Sequence, residues 1–259
     1  MRIVRFSDGD NPRYGMMQED STRIFVLRGD PLFGKIEATG EVLDLDEVRL
    51  VSPVIPRSKV VAVGKNYLDH VREMGGTEAA AEPILFMKPN TSVIGPDDPI
   101  VLPRWSERVE HEAELAVVIK TLAKDVPVDQ VDDIILGYTA ANDVTARDKQ
   151  KQDGQWTRAK GFDTSCPLGP WITVDPDLDV DNLLITSSVD GQLRQSASTA
   201  DMIVPVRELV SFISGVFTLL PGDVILTGTP AGVGPLEPGD RVDVTISGIG
   251  TLSNPVVRR

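Results

Sequence analysis

Turn-forming pairs in the second half of the chain limit its fold more than any other feature of the sequence. Asp-Gly, Pro-Gly and Ser-Gly pairs recur at residues 190–191, 221–222, 238–239 and 247–248. The segments between them include the apolar and β-branched runs at 183–189, 223–227 and 241–246. Short strands separated by turns at this spacing are typical of a β-sandwich or barrel. One helix is predicted over residues 204–220, where apolar residues recur at helical spacing and Pro205 suits a first turn. The sequence therefore predicts a mainly β fold with some α-helix.

The first 50 residues repeat the pattern of short strands and turns. Strand-like runs cover residues 1–6 and 23–27, and a turn at Ser52-Pro53 marks a candidate domain junction. We therefore predict a small β-rich N-terminal domain over residues 1–52 and a larger catalytic domain over residues 53–259.

Two glutamates, Glu112 and Glu114, stand one residue apart at the head of the apolar run 115–119. In a strand, side chains two residues apart point to the same face. At a separation of ~7 Å and an effective dielectric constant of ~20, two negative charges repel by roughly 2 kcal/mol. A hard divalent cation such as Mg²⁺ or Mn²⁺ would offset this repulsion, because these ions prefer oxygen ligands. The alternative is a solvated strand end where both acids face water.

A third acid, Asp143, follows the apolar stretch 134–141, which reads as a buried strand. The alternative role for Asp143 is a helix N-cap. However, Thr145 and Asp148 have the three-residue spacing of a capping box, with Asp in place of the usual Glu or Gln, so they predict that the cap is already provided. Asp143 is then available at the end of its strand. With the two glutamates it would form an acidic site of three oxygen ligands with open positions for a substrate.

The two histidines of the chain have different surroundings. His70 and Glu73 lie three residues apart, and on a helix this spacing lets their side chains meet. A carboxylate orients an imidazole and raises its basicity, which suits a general base; the alternative is an ordinary pair on a helix surface. His111 is adjacent to Glu112 and alternates to the opposite strand face, so we do not expect it to be a metal ligand.

The charge and cysteine content limit the possible partners and location. The chain has 26 Lys and Arg against 39 Asp and Glu, for a net charge of −13, which argues against nucleic acid or an anionic membrane as a partner. An anionic substrate would need local positive groups or a metal. The single cysteine, Cys166, cannot form an intrachain disulfide and is predicted to pack in the core. Since the sequence has no secretory signal pattern or ~20-residue apolar span, a cytoplasmic location is predicted.

Five sequence blocks resemble, in the same order, those of the fumarylacetoacetate hydrolase superfamily. They are VGKNYLDH at 63–70, HEAEL at 111–115, NDVTARD at 142–148, KGFDTSCPLGP at 160–170 and LTGTPAGVG at 226–234. The resemblance extends over roughly residues 55–259, and the preceding segment is similar to the short N-terminal domain of many bacterial members. It implies a mixed β-sandwich roll for the catalytic domain.

The resemblance also implies roles for individual side chains. His70 and Glu73 match the catalytic dyad that hydrolytic members carry on a mobile lid, and the glycines of the Gly-Gly-Thr sequence at 75–77 suit a hinge. Lys160 matches the lysine that reaches the metal-bound substrate, where a cation stabilises developing negative charge.

Three further positions are candidate substrate contacts. Arg147 matches a family position close to the site, and Gln150 matches one that contacts the lid or the substrate. Thr229 lies in a Gly-Thr-Pro turn, where its hydroxyl and backbone N–H are placed to hold a substrate carboxylate; a simple turn is the alternative.

Together these observations predict a metal-dependent enzyme that acts on a small anionic 2-oxo acid. The reaction is cleavage of a C–C bond by acylpyruvate hydrolysis, oxaloacetate decarboxylation or both, through a pyruvate enolate stabilised by Mg²⁺ or Mn²⁺ and by Lys160. The first alternative is an isomerase or decarboxylase of substrates like 2-hydroxyhepta-2,4-diene-1,7-dioate, and the second is a non-catalytic 2-oxo acid binder. The family usually associates through its β-rich domain, which implies a homodimer.

Overall fold

The computed structural model describes residues 1–9 and 11–258, and strands dominate its regular structure. Residue 259, the last of the predicted catalytic domain, lies outside the described residues. The strands of the first part are β1 Arg2–Ser7, β2 Arg13–Met17, β3 Arg23–Leu27, β4 Ala38–Asp44, β5 Arg49–Leu50, β6 Val60–Gly64, β7 Ile84–Lys88, β8 Val93–Ile94, β9 Ile100–Leu102 and β10 Val109–His111. Those of the second part are β11 Ala113–Ile119, β12 Ile135–Asn142, β13 Thr145–Ala146, β14 Cys166–Thr173, β15 Leu184–Val189, β16 Gln192–Ser198, β17 Val224–Leu226, β18 Gly234–Pro235, β19 Arg241–Ile246 and β20 Gly250–Arg258. The α-helices are α1 Leu68–Glu73, α2 Arg147–Asp153, α3 Thr157–Lys160 and α4 Val206–Val216. Short 3-10 helices cover Leu45–Glu47, Asn90–Ser92, Val128–Ile134 and Thr199–Asp201.

The strands form one large mixed sheet and two smaller sheets. Along the main path of the large sheet the order is β4-β3-β2-β1-β14-β12-β11-β17-β6-β7, with β5 beside β1 and β8 beside β14. Most neighbours are antiparallel, but β17 and β6 run parallel. A second sheet has the order β16-β15-β19-β20-β9, and a third joins β13, β10 and β18. The predicted mainly β class with mixed sheets is confirmed.

Strand β11 lies at the centre of the large sheet, between β12 and β17. Its odd-numbered residues Leu115 and Val117 pack in the cluster that contains the buried face of α4, whereas Ala116 and Val118 pack in a cluster on the opposite face. A strand covered on both faces appears in the sequence as a continuous apolar run. Packing on both faces therefore fixes β11 in place, and its N-terminal end is suited to position functional groups.

The helix α4 is shorter than the predicted span of residues 204–220. It begins after Pro205, the N-cap residue, and ends at Val216; the next residue, Phe217, has an extended backbone. Leu219 then forms a β-bridge with Ala123, so the final predicted turn is replaced by pairing with another segment. Among the described residues, none of the helices has the length and apolar character needed to cross a membrane.

The N-terminal strands have a small core of their own, built from residues such as Phe6, Met17 and Ile24. They are also joined to the rest of the molecule, because β1 pairs with β14. A domain boundary between residues 52 and 53 remains a prediction.

Candidate metal centre and active site

Glu112, Glu114 and Asp143 lie together at one end of the large sheet. Ala113 of β11 pairs with Asn142 of β12. Glu112 and Glu114 flank Ala113, and Asp143 follows Asn142, so this pairing brings the three acids together. The three carboxylates each offer an oxygen within 4.8 Å of the others, and their residues are 2%, 1% and 0% exposed. Burial of this extent excludes the solvated strand end that the sequence left open for the two glutamates.

Three buried cations, Lys88, Arg147 and Lys160, neutralise part of this acidic group. Lys160 Nζ lies 2.6 Å from both Glu112 Oε2 and Asp143 Oδ2, and Arg147 Nη2 lies 2.5 Å from Glu112 Oε1. Burial alone would raise the pKa of Glu112, but the charges of Lys160 and Arg147 outweigh it and hold that pKa well below its usual range. Burial likewise opposes the charge on Lys160, yet Asp143 and Glu112 raise the pKa of its ammonium group. Glu112 and Lys160 are therefore both charged at neutral pH.

Glu114 differs from the other two acids because no lysine or arginine among the described residues forms an ion pair with it. Its carboxylate accepts one backbone N–H, from Gly228, at 2.7 Å. Burial, followed by the negative charges of Asp143 and Glu112, raises the pKa of Glu114 well above its usual range. Among the described residues, Glu114 therefore has no ion-paired cation of its own, and a divalent cation with a preference for oxygen ligands would supply one.

The raised pKa of Glu114 predicts that cation binding releases a proton. In the metal-free protein the carboxyl group keeps its proton at pH values above about 4.3, the usual value for Glu, whereas a metal ligand must be deprotonated. Apparent Mn²⁺ affinity should therefore rise as the pH rises from about 4.3 toward the raised pKa of Glu114. Titration calorimetry in two buffers of different ionisation enthalpy measures the released proton, and Glu114→Gln should abolish it. Equal apparent enthalpies for the wild type in both buffers would contradict this prediction.

His70 and Glu73 lie on the short helix α1 and form the pair that their spacing predicts. His70 is 5% exposed, and its Nδ1 is 3.0 Å from Glu73 Oε2. The other oxygen of Glu73 accepts the backbone N–H of Gly232 at 2.9 Å. The contact with Glu73 occupies Nδ1, so Nε2 is the nitrogen available to act as a base.

One loop, residues 228–232, thus contacts both the acidic site and the His70 pair. Gly228 and Gly232 have φ values of +98° and +100°, and a Cβ atom at either position would lie 2.7 Å or less from Asn66 or Arg194. Glycine is required at both ends of the loop, because only glycine combines this backbone conformation with such close packing. The loop conformation therefore aims the two N–H groups at their carboxylates.

The acids and the histidine share a cavity of about 200 Å³. Its lining includes seven of the nine predicted site residues, namely His70, Glu112, Glu114, Arg147, Gln150, Lys160 and Thr229. Asp143 and Glu73 do not line the cavity but contact residues that do, namely Lys160 and His70. Trp156 forms another part of the wall and packs edge-on against Phe86. One cavity therefore holds acidic, cationic and basic groups together.

The three predicted substrate contacts are held by specific hydrogen bonds. Gln150 Oε1 accepts from Arg147 at 2.7 Å, so its amide nitrogen is the group that can donate to a ligand. The Thr229 hydroxyl donates to the carbonyl of Ala113 at 2.9 Å and accepts from Gln195 at 2.8 Å. In this arrangement the hydroxyl proton of Thr229 is already used, and its backbone N–H is the donor suited to a substrate carboxylate.

Two buried residues that support the site were not identified from the sequence. Lys88 is 1% exposed; its ammonium group is 2.5 Å from Asp143 Oδ1 and also contacts the carbonyl of Lys160. Gln195 is 0% exposed and donates to Thr229 and to the carbonyl of Pro230, each at 2.8 Å. The position of Lys88 at the end of the apolar strand β7 could have indicated its role, because a lysine buried with such a strand needs an anionic partner. Gln195 stands in a polar strand, where nothing in the sequence distinguishes it.

The predicted capping box at Thr145 and Asp148 is wrong. Helix α2 begins at Arg147 without a side-chain cap. Thr145 instead donates to the backbone carbonyl of Asp143 at 2.8 Å and lies 3.1 Å from Glu112, while Asp148 accepts from Ser106 at 2.6 Å. The Thr145 hydroxyl therefore supports the acidic site rather than a helix terminus.

His111 and Cys166 are both fully buried. The ring of His111 contacts Gln195 and Ser187, and burial lowers its pKa, so the imidazole is neutral. The predicted packing of Cys166 in the core is confirmed, since the free thiol is 0% exposed and burial raises its pKa to about 12.

The fold and the acidic cavity define a β-rich protein with a candidate metal centre, and the chain belongs to the fumarylacetoacetate hydrolase family. Residues 59–257 match the family described as fumarylacetoacetate (FAA) hydrolase C-terminal. Residues 1–53 match the family described as Rv2993c-like, N-terminal. The resemblance drawn from the five sequence blocks is confirmed.

Two relatives are similar to the chain over almost its full length. The protein Rv2993c of Mycobacterium tuberculosis is 51% identical, over 100% of this chain and 99% of the relative. The mitochondrial oxaloacetate tautomerase fahd2 of Xenopus laevis is 38% identical, over 99% of this chain and 90% of the relative.

Two solved structures extend the comparison. The 5-carboxymethyl-2-hydroxymuconate delta-isomerase of Mycobacterium smegmatis has a TM-score of 0.92 and 48% identity, over 100% of both chains. The maleylpyruvate hydrolase of Sphingobium sp. SYK-6, in complex with manganese(II) ion and pyruvate, has a TM-score of 0.83 and 32% identity, over 100% of this chain and 99% of that chain. Named members of the family are thus hydrolases, isomerases and tautomerases.

Proposed function

We propose that this protein is a divalent-metal-dependent enzyme that cleaves a C–C bond in a small anionic 2-oxo acid. The reaction is acylpyruvate hydrolysis, oxaloacetate decarboxylation or both, through a pyruvate enolate. The observation that carries the proposal is the single cavity lined by Glu112, Glu114, His70 and Lys160. It combines a carboxylate site, a base and a cation, which are the groups that this chemistry requires.

The proposed metal ligands are Glu112, Glu114 and Asp143, and the proposed cation is Mg²⁺ or Mn²⁺. Three converging carboxylates suit a hard cation that keeps further positions for substrate. The buried Glu114 carboxyl group, which has no ion-paired lysine or arginine among the described residues, supports the assignment, as does the manganese ion of the maleylpyruvate hydrolase structure. The cation, when bound, supplies Lewis-acid polarisation of the substrate's carboxylate and 2-oxo oxygens.

The side chains of the cavity divide the remaining tasks of hydrolysis. His70 Nε2 accepts a proton from water, and Glu73 stabilises the imidazolium that results. The water oxygen bonds to the distal carbonyl carbon, the C–C bond breaks, and its electron pair becomes the enolate of pyruvate, which then takes up a proton. The buried ammonium group of Lys160 stabilises the enolate charge as it develops. Arg147, Gln150 and Thr229 are the proposed substrate contacts.

Decarboxylation of oxaloacetate reaches the same enolate by loss of CO₂ and requires no activated water. A second candidate function needs proton transfer alone: isomerisation or decarboxylation of a 2-hydroxyhepta-2,4-diene-1,7-dioate type of substrate. The similarity to a muconate delta-isomerase favours this candidate, and the oxaloacetate tautomerase relative supports proton transfer at such a site. A non-catalytic binder is the third possibility, against which the paired His70, Glu73 and buried Lys160 argue.

A substrate panel tests these candidates. Acylpyruvates, oxaloacetate and dienedioates are each assayed with Mg²⁺ and with Mn²⁺. We expect metal-dependent turnover of acylpyruvates or oxaloacetate with release of pyruvate. Conversion of dienedioates alone would favour the isomerase, and binding without turnover of any compound would favour the non-catalytic binder.

We also propose that the protein is a cytoplasmic homodimer. The dimer rests on the usual association of the family, and the location is consistent with a single buried cysteine. Sedimentation analysis at micromolar concentration should give about twice the 28.1 kDa mass of one chain. A mass equal to that of one chain would contradict the dimer.

A further inference from the structure

The side-chain amide of Gln195 lies between strand β11 and the loop at residues 228–232. Gln195 is on β16, the edge strand of the second sheet, and it does not line the cavity. Its Oε1 accepts the backbone N–H of Ala113 at 3.0 Å, and its Nε2 donates to the Thr229 hydroxyl at 2.8 Å. That hydroxyl donates in turn to the carbonyl of Ala113 at 2.9 Å. The three residues therefore form a closed ring of hydrogen bonds.

This ring takes the place of β-sheet pairing that stops short. Strand β17 pairs with β11 as far as Leu226. Continued in the same antiparallel register, the chain would place the backbone of Thr229 opposite Ala113. The chain instead turns at Gly228, where φ is +98°, so the N–H and carbonyl of Ala113 lose their backbone partner on that side. Buried backbone groups need partners, and the side chains of Gln195 and Thr229 provide them.

The buried position of Gln195 requires both the acceptor and the donor of an amide. The N–H of Ala113 can only donate, and the carbonyl of Pro230, 2.8 Å from Nε2, can only accept, so these partners fix the orientation of the amide. Its Oε1 also lies 2.9 Å from the Ser187 hydroxyl. Gln195 is 0% exposed, so water does not replace any of these partners. A side chain without the amide would therefore leave buried backbone groups unpaired.

We propose that Gln195 is a positioning residue: it sets the loop against β11 so that the loop N–H groups reach Glu114 and Glu73 together. The far end of the loop packs on the same strand as Gln195, because a Cβ atom at Gly232 would lie 3.2 Å from the Cα of Gln195. One strand outside the cavity thus holds the loop whose N–H groups donate to both carboxylates. The consequences for metal binding and for the rate rest on the proposed function, whereas the position of the loop does not.

Amide hydrogen exchange, measured by NMR on the full chain without added metal, tests the position of the loop without any substrate. The Gln195→Met variant keeps a side chain of similar length but has no strong donor or acceptor. The N–H groups of Gly228 and Gly232 should then exchange about tenfold faster, because lost hydrogen bonds make local opening easier. The amides of α4 should exchange as in the wild type, since the effect is confined to the loop.

Two further variants separate the ring of hydrogen bonds from general packing. Thr229→Val opens the ring from its other side and keeps the backbone N–H at that position, so the same two amides should exchange faster. This variant also decides the question if Gln195→Met does not fold. Gln192→Met is the matched control: Gln192 is exposed on the same strand, and its side chain accepts only from Arg194, at 3.3 Å. It should leave the exchange rates unchanged.

Metal binding and kinetics test whether the position of the loop matters to the site. By calorimetry, Gln195→Met should bind Mn²⁺ about tenfold more weakly, within the ~10- to 100-fold range of contacts that support metal ligands. At saturating Mn²⁺, its kcat for acylpyruvate hydrolysis should fall by about tenfold, because a displaced Glu73 no longer orients the base. Its kcat for oxaloacetate decarboxylation should fall less. In a Thr229→Val background the same change should cost about threefold or less, because the ring is already open.

The outcomes separate this inference from the proposed function. Unchanged exchange of Gly228 and Gly232 in Gln195→Met and Thr229→Val would overturn it, as would an equal effect in Gln192→Met or in the amides of α4. Faster local exchange with wild-type Mn²⁺ affinity and wild-type rates would also overturn it, since Gln195 would then have a structural role alone. Faster local exchange and weaker Mn²⁺ binding, without turnover of any acylpyruvate or oxaloacetate, would support the positioning role and contradict only the proposed reaction.

Discussion

Metal-free Glu114→Gln protein is expected to be more stable than the metal-free wild type, and to lose most of its affinity for Mn²⁺. Glu114 is buried beside Glu112 and Asp143 without a cationic partner, whereas glutamine keeps the shape and can still accept the N–H of Gly228. When the wild type folds at neutral pH, Glu114 must either take up a proton or bury its charge beside two acids, and removing this cost of about 2 kcal/mol corresponds to a rise of about 4–8 °C in Tm. Loss of a ligand should weaken Mn²⁺ binding by at least ~100-fold, more than supporting contacts usually contribute.

Thermal unfolding with and without Mn²⁺ measures both effects. The wild type should be stabilised by saturating Mn²⁺, since a ligand that binds only the folded state raises its stability. The variant should gain almost nothing. Glu107→Gln is the control, because Glu107 is an exposed acid just before β10 and outside the three-carboxylate group. If Glu114→Gln binds Mn²⁺ as tightly as the wild type, the assignment of Glu114 as a ligand is wrong.

His70→Ala is expected to retain Mn²⁺ binding but to lose acylpyruvate hydrolysis by about 10²- to 10⁴-fold, the usual contribution of a positioned general base. His70 contacts Glu73 and not the three carboxylates, so the proposed metal ligands stay intact. Glu73→Gln should reduce the rate in the same direction, because an amide orients the imidazole but does not stabilise its cation. Oxaloacetate decarboxylation should fall less, since it needs no activated water.

The control for the dyad is on the same helix. Asp69→Asn removes an exposed carboxylate that pairs with Arg72 at 2.9 Å, and its rate should match the wild type. Steady-state kinetics with acylpyruvate and oxaloacetate at saturating Mn²⁺ compare all four proteins. Wild-type hydrolysis by metal-loaded His70→Ala would exclude the dyad and strengthen the isomerase alternative.

Much of the fold was predictable because local chemistry determines it. Turn pairs delimit β19, which spans residues 241–246 as predicted, and β3 likewise spans residues 23–27. The meeting of Glu112, Glu114 and Asp143 was predictable from strand alternation and from the position of Asp143 after a strand. All three acids lie at or next to strand ends, and the apolar runs of the sequence identify those ends.

The remaining features depend on contacts between distant segments. Lys88 meets Asp143 across 55 residues of sequence, and no local pattern specifies that partner. The final turn predicted for α4 was lost because Leu219 pairs with Ala123, which helical periodicity cannot reveal. The capping prediction failed for a related reason: Ser106, distant in sequence, binds Asp148. In each case tertiary contacts outweighed local preference.

The loop at residues 228–232 has a consequence for how enzymes of this architecture diverge. Its main-chain N–H groups donate hydrogen bonds to Glu114 and Glu73. Only a substitution to proline removes a main-chain N–H group. Changes that keep the loop geometry thus preserve both contacts, while a change that distorts it alters the cation site and the base together. Separate adjustment of the two tasks requires substitutions elsewhere, in the helix that carries His70 or in the cavity wall. We therefore expect hydrolases and isomerases built on this scaffold to differ more in those two places than in the loop.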